Sequence, residues 1–489
     1  MAASRLPKID RADIQGDILS AYGNKYDRAS YVLIHIEQPA GGRVWLGSLL
    51  GRVTNAERWS GRKPETTLNV ALTYTGLRAL GVADGLLCGF SEEFREGMAA
   101  RAEVLGDVGA SAPARWETPL GSGTGHVLVT IKALTTELLE RELAGFIAGV
   151  ERAAGVSVVH EQHTQQLRSA REHFGYADGF SQPAITGVAE HESFADGVPE
   201  KGGRWRGLAL GEFILGYEDE DALLPNAPAE PLGRSGTYMI YRKLSQDVAL
   251  FRKTLRDAAR LYGHNEEQLA AKVAGRWPNG TPLVTSPDRP IPNFNAKDPE
   301  NNAFRYLDAD PDGTKCPLGA HIRRTHPRDA LGWKGLDDSG LLSYRHRIIR
   351  RGMPYGPPLP AAASEVDPGQ DKVDGADDKV DRTEGKVDRT EDKVDRGLVF
   401  VCFNASISRQ FEGIQTQWVN DGNVFHLGHD KDFLLGDSST TSKMTVQGDP
   451  PFMLSPQPSL VTTRGGEYLF VPGLAALRFL AGGAGGART

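Results

Sequence analysis

The chain has 489 residues, of which 39% are apolar and 24% charged, with a formal charge of −7 and a pI near 6.0. That balance fits a soluble globular protein with room for two or three domains, and it offers no electrostatic case for nucleic acid or an anionic membrane surface. No run approaches the roughly 20 apolar residues of a membrane span, the first residues lack a signal h-region or twin arginine, and three widely spaced cysteines, Cys88, Cys316 and Cys402, suit a reduced, cytoplasmic setting.

Taken in chain order, residues 31–36 read as a strand and 44–59 as a helix, with Val44, Leu46, Leu49, Leu50 and Val53 on its apolar face. Residues 68–74 and 126–131 are further strands. Residues 135–153 then place Leu139, Leu143, Phe146, Ile147 and Val150 on one helical face. The second half repeats this cadence: a strand at 237–241, a helix at 245–262, strands at 345–350 and 398–404, and a helical pattern through Gln410, Ile414 and Trp418. Two such halves predict an α+β fold with mainly antiparallel sheets flanked by helices, repeated once. The expected domains are 1–205 and 206–480.

From 370 to 396 the composition changes. Asp371-Lys372-Val373-Asp374, Asp378-Lys379-Val380-Asp381, Gly385-Lys386-Val387-Asp388 and Asp392-Lys393-Val394-Asp395 recur every seven residues. One Val per repeat is half of what a coiled coil needs and buries too little to offset ordering entropy. This is expected to be a surface loop inserted in the second domain, and 481–489 a flexible tail.

The residues that could carry chemistry are scattered. A lone histidine is more often structural than a ligand, but His321 follows Gly319 and Ala320, small enough for a flat macrocycle to approach the backbone. It precedes Arg323 and Arg324, whose forks suit carboxylates such as propionates. Such a ligand also needs an anionic partner on its other ring nitrogen. Asp178, before Gly179, reads alone as a turn residue. Arg350, ahead of Gly352-Met353-Pro354, reads alone as a structural arginine.

Together these segments resemble the dye-decolorizing peroxidases, in particular their longer bacterial and fungal branch. The resemblance rests on Gly175-Tyr176-Ala177-Asp178-Gly179 and its extension Phe180-Ser181-Gln182-Pro183, on residues 316–328 around His321, and on residues 347–356 around Arg350. Residues 13–19, 211–217 and 398–403 fit as well, so it spans nearly the whole chain apart from the charged repeat.

The resemblance implies a duplicated ferredoxin-like fold with one haem b per chain in a pocket between sheet and helices. His321 would be the proximal iron ligand, Asp178 and Arg350 the distal catalytic pair, and Leu398 and Phe400 the apolar pair narrowing the distal space. Asp432 would be the acidic partner of His321, with Asp430 and Glu412 as alternatives, and Arg323 would contact the cofactor. The implied reaction uses hydrogen peroxide to oxidise dyes, phenols and other aromatic donors through a ferryl-oxo porphyrin radical. Tyr355 is the expected surface radical site for bulky donors, with Trp333 and Trp418 as competitors and ordinary packing as the bland reading. The rival is a haem-binding or iron-release protein without turnover, which needs neither Asp178 nor Arg350. A third class, a metal-binding or interaction module, would use His160/His163 or His426/His429. The acidic run 218–221 would attract Mn²⁺ if it lined a cleft and is otherwise a solvated loop. Oligomeric state stays open.

Overall fold

A computed structural model describes residues 9–20, 22, 26–167, 170–179, 181–188, 197–199, 205–295, 298–331, 339–359, 394–436 and 443–482. Most of the charged repeat, Phe180, Trp333 and residues 483–489 lie outside the described residues. Among those described, no helix is long and apolar enough to cross a membrane.

The first half runs β1 (Arg28–Ile36), α1 (Pro39–Leu49), β2 (Thr66–Leu72), β3 (Val127–Ala133), α2 (Thr136–Glu151) and β4 (Val156–Gln165). The second runs β5 (Thr237–Gln246), α3 (Val248–Tyr262), α4 (His321–Thr325), β6 (Ile349–Arg350), β7 (Met353–Tyr355), β8 (Gly397–Asn404), β9 (Val461–Val471) and α5 (Leu474–Gly482). Two π-helical segments, Ile407–Glu412 and Ile414–Val419, follow β8.

These nine strands form one sheet in the order β4-β1-β3-β2-β9-β5-β8-β6, with β7 also on β8, and two short two-stranded sheets stand apart from it among the described residues; every pairing in the main sheet is antiparallel. Each half therefore has the order fourth-first-third-second of a ferredoxin-like unit. The halves are joined where Phe470 of β9 meets Leu72 of β2. The sheet curls until its ends approach, with Thr164 of β4 against Met353 of β7 at 3.6 Å. Strand alternation explains the two faces. Tyr31, Leu33, Met239, Tyr241, Val399, Val401 and Phe403 fill the inner side. Val32, Ile34 and Ile36 point outward onto Trp45, Leu46 and Leu49 of α1 and Leu139, Leu143 and Phe146 of α2.

The helices start where capping residues allow. Thr135 accepts from Leu138 N at the head of α2 (3.3 Å), and Asp247 Oδ1 from Leu250 N at the head of α3 (2.8 Å). α1 begins at Pro39, whose ring suits the first helical turn, so it lies earlier than the expected 44–59 and ends at Leu49. The expected strand at 345–350 shortens to Ile349–Arg350. Ala481 and Gly482, expected in the tail, complete α5, whose Leu477 and Leu480 are buried in the same cluster as α1.

Candidate functional site

On the outer face of the second half, a cavity of about 320 Å³ lies between the sheet and helical segments, within the span of about 300–1,000 Å³ usual for ligand pockets. His321, Asp178, Arg350, Leu398 and Phe400 all line it. Leu398 and Phe400 are two apart on β8 and so share its outer side.

His321 opens α4. Its Nδ1 lies 2.9 Å from Asp432 Oδ2, while Asp432 Oδ1 accepts from Leu434 N and Leu435 N at 2.9 and 2.8 Å. The carboxylate is thus fixed by its own loop and fixes the ring in turn, leaving Nε2 as the nitrogen for a ligand. Burial would lower the imidazole's pKa, but the Asp432 charge and hydrogen bond outweigh it and hold it above the usual value. The 26% exposure of the His321 side chain beside a fully buried Asp432 is surface facing the cavity. The alternatives are engaged elsewhere: Asp430 with Thr445 and Lys443, Glu412 with Arg101 and Tyr468.

Arg324, read with Arg323 as suited to propionates, does not line the cavity and instead seats the loop that carries Asp432. It donates to Trp418 O (2.7 Å), Asp421 O (3.1 Å) and Asp430 O (2.5 Å). Arg323 corrects its expected role. Two residues beyond His321 on a helix, it points about 200° away. Its guanidinium, 1% exposed, bonds Asp310 and the Cys316 carbonyl and lies 4.4 Å from the Tyr306 ring, and it does not line the cavity. Gly319 and Ala320 do not line it either; Gly319 faces Leu427 and Met444.

Also lining the cavity, Arg350 Nη1 stands 3.4 Å from Asp178 Oδ1, with side-chain exposures of 37% and 44%. Asp178 Oδ1 also accepts from Gly179 N at 2.6 Å, and Gly179 at φ +90° occupies the region that favours glycine. Behind this loop, Glu172 accepts from Phe174 N (2.8 Å), Tyr176 N (2.9 Å) and Gln246 Nε2 (2.7 Å). Burial raises its pKa against those bonds.

The cavity wall also holds Arg347, which the sequence reading quoted only as part of a motif. Its Nη1 lies 2.6 Å from His326 Nε2, and its Nη2 donates to Ser181 O at 3.0 Å. Burial and the Arg347 charge push His326 well below the ordinary histidine value, so the ring is neutral and accepts from the guanidinium.

Tyr355 is another correction. It is 3% exposed, with its hydroxyl donating to Asp395 Oδ1 at 2.9 Å and the Lys243 ammonium 4.7 Å from its ring centre; this is no surface site. Trp418 is buried too. The acidic run is taken up by arginines: Arg345 bonds Glu212, Asp219 and Asp221, and Arg206 grips Glu220 with both Nη atoms. His160 and His163, three apart on β4, point to opposite sides of the sheet.

The donor set fits an iron porphyrin. The cavity lining offers an imidazole backed by a carboxylate, a carboxylate–guanidinium pair, and Arg347 as a cation suited to the acidic edge of such a macrocycle.

Comparison with known proteins gives the same direction. Residues 13–168 match the family described as the DyP dimeric alpha+beta barrel domain. Peroxidase 2 of Mycetinis scorodonius is 30% identical, over 96% of this chain and 87% of that protein. The multifunctional dye peroxidase DyP2 of Amycolatopsis sp. is also 30% identical, over 96% and 95%. A solved dye-decolorizing peroxidase in complex with 2,6-dimethoxyphenol is 25% identical with a TM-score of 0.75, covering 97% of this chain and 100% of that one.

Proposed function

The chain belongs to the dye-decolorizing peroxidase family and is a peroxidase, and on that premise we propose that Asp178 and Arg350 are its distal catalytic pair, His321 its iron ligand, and haem b, one per chain, its cofactor. The observation that supports this reading is the gathering, around one cavity, of the Asp432-backed His321 ring and the Asp178–Arg350 pair.

Bound haem supplies the redox chemistry that cleaves the peroxide O–O bond. The protein's part is to handle protons and charge. Asp178, open to the cavity, takes the proton that hydrogen peroxide sheds and returns it to the outer oxygen, which leaves as water. The guanidinium of Arg350 offsets the negative charge growing on that oxygen. Leu398 and Phe400 keep the space narrow and apolar, which strengthens both effects. Asp432 accepts a hydrogen bond from the Nδ1–H of His321, so Nε2 keeps its lone pair for a metal and the ring is made more basic. Arg347, steadied by neutral His326, is the cation placed for a propionate, the role first assigned to Arg323.

Phenols and related aromatic donors are the reducing substrates; the 2,6-dimethoxyphenol bound to the related enzyme supports that class. The three cysteines stand free, which supports a reducing, cytoplasmic setting. The test is direct. The purified protein should show a Soret band and consume peroxide with a phenol, and His321→Ala should lose both. A His321→Ala protein that keeps its haem and its turnover would sink the assignment.

A further inference from the structure

β6 is two residues long, and its Arg350 sits opposite Cys402 of β8. The neighbouring Arg351 N bonds back to Val401 O at 2.8 Å, so the backbone N–H and C=O of Arg350 itself turn to the open edge of the sheet. Unsatisfied groups there are costly when partly buried. A side chain supplies what another strand would: Gln182 Oε1 accepts from Arg350 N at 3.1 Å, and Gln182 Nε2 donates to Arg350 O at 3.1 Å. The same carbonyl also accepts from Arg351 Nη1 at 2.9 Å. A primary amide carries one donor side and one acceptor side in a plane, as a peptide does.

Gln182 stands four residues beyond Asp178. Between them Ser181 adopts φ +59°, a left-handed conformation rare for serine, and its carbonyl is held by Arg347. The chain that carries Asp178 is therefore pinned to the strand carrying Arg350 at Ser181 and Gln182, three and four residues past the carboxylate. The pair itself is separated by 3.4 Å and open to the cavity, so its spacing cannot come from burial.

We propose that Gln182 is the positioning residue of the distal pair: its amide, standing in for a missing strand, sets the distance between Asp178 and Arg350. The inference rests on the distal-pair reading given above.

The experiment uses the haem-loaded protein carrying Gln182→Ala, with three readouts: amide hydrogen exchange at Arg350, the bimolecular rate with peroxide, and affinity for cyanide. Exchange at Arg350 should accelerate, and both the peroxide rate and cyanide affinity should fall about tenfold or more, since small misplacements of a catalytic group carry costs of that order. Haem content and the KM for a phenolic donor should hold. In an Arg350→Leu background the added loss should vanish, because nothing is left to position; a merely structural role would cost as much in both backgrounds. If Gln182→Ala does not retain haem, Gln182→Glu decides by the same readouts. It has the same shape and keeps the acceptor but loses the donor to Arg350 O. Unchanged exchange and peroxide rate overturn the proposal, as does an undiminished loss in the Arg350→Leu background. An Arg350→Leu protein with a normal peroxide rate would instead bring down the distal-pair reading, and this inference with it.

Discussion

Asp432→Asn should cost the protein its grip on haem, and the hydrogen bonds say why. Asp432 is buried and uses Oδ1 to accept two backbone N–H groups, from Leu434 and Leu435, and Oδ2 to face His321 Nδ1. An amide has only one oxygen. If it faces the two N–H groups, its NH₂ meets Nδ1, which must become an acceptor; the ring proton then moves to Nε2 and blocks ligation. If the oxygen faces His321 instead, the NH₂ collides with two buried donors, each left unsatisfied at about 1–3 kcal/mol. Either way haem affinity should drop by about 10–100-fold, or about 1.4–2.7 kcal/mol, the usual span for the hydrogen-bond partner of a ligating histidine. Titrating apoprotein with haem and following the Soret band measures this, with transfer to a haem scavenger giving the off-rate. Affinity within about twofold of the parent would refute the claim that Asp432 sets the tautomer of His321.

Asp178→Asn and Arg350→Leu should each keep haem but slow the peroxide step about 10²–10⁴-fold and 10²–10³-fold respectively, read by stopped-flow absorbance. Arg323→Met should leave Asp310 buried without its partner and destabilise the fold by about 3–5 kcal/mol, while Arg347→Leu should chiefly weaken haem retention; urea melts and haem titrations separate the two. Tyr355→Phe should slow a bulky dye no more than a small phenol, since the ring is covered; a selective loss on the dye would restore the relay role. Glu467, buried on β9 and accepting from Gly121 N, has its pKa pushed up by burial from 4.5 to about 8. It stays protonated in the fold across that window while the unfolded chain ionises, so stability falls as pH rises from about 4.5 to about 8. Glu467→Gln should remove that slope, stabilising the protein at about pH 8 by up to a few kcal/mol and little at about pH 5, as thermal melts would show.

Much of this was legible in the sequence where physics is local. The apolar face of α2 follows from helical spacing, and β1, β3 and β8 from their β-branched runs. The fourth strand of each half escaped notice. β4 is half polar, and β9 is interrupted by Gly465-Gly466, where the register shifts and Gly465 takes φ +158°, so neither shows clean alternation. The site was legible mainly as motif. His321 and Asp432 are 111 residues apart, and no periodicity links them. Arg323 misled because its chemistry was right and its direction wrong: a two-residue step on a helix turns a side chain from the cavity into the core. Tyr355 misled similarly, since amphipathic rings look alike in sequence whether covered or not. Gln182 offered no signal beyond its place in a motif, because its importance lies in an edge that only the folded sheet reveals.

β9 sits at the middle of the sheet yet follows the other eight strands of that sheet in the chain. The first half can adopt its own four-strand order while the rest is still being made, but the seam between the halves, from β2 to β5, stays open until β9 is in place. Until then β2 and β5 each lack a neighbour, and the part of the cavity wall that Val461 and Thr463 supply is missing. Truncations that remove even the last thirty or so residues would strip out this keystone and leave two unmatched strand edges prone to aggregation.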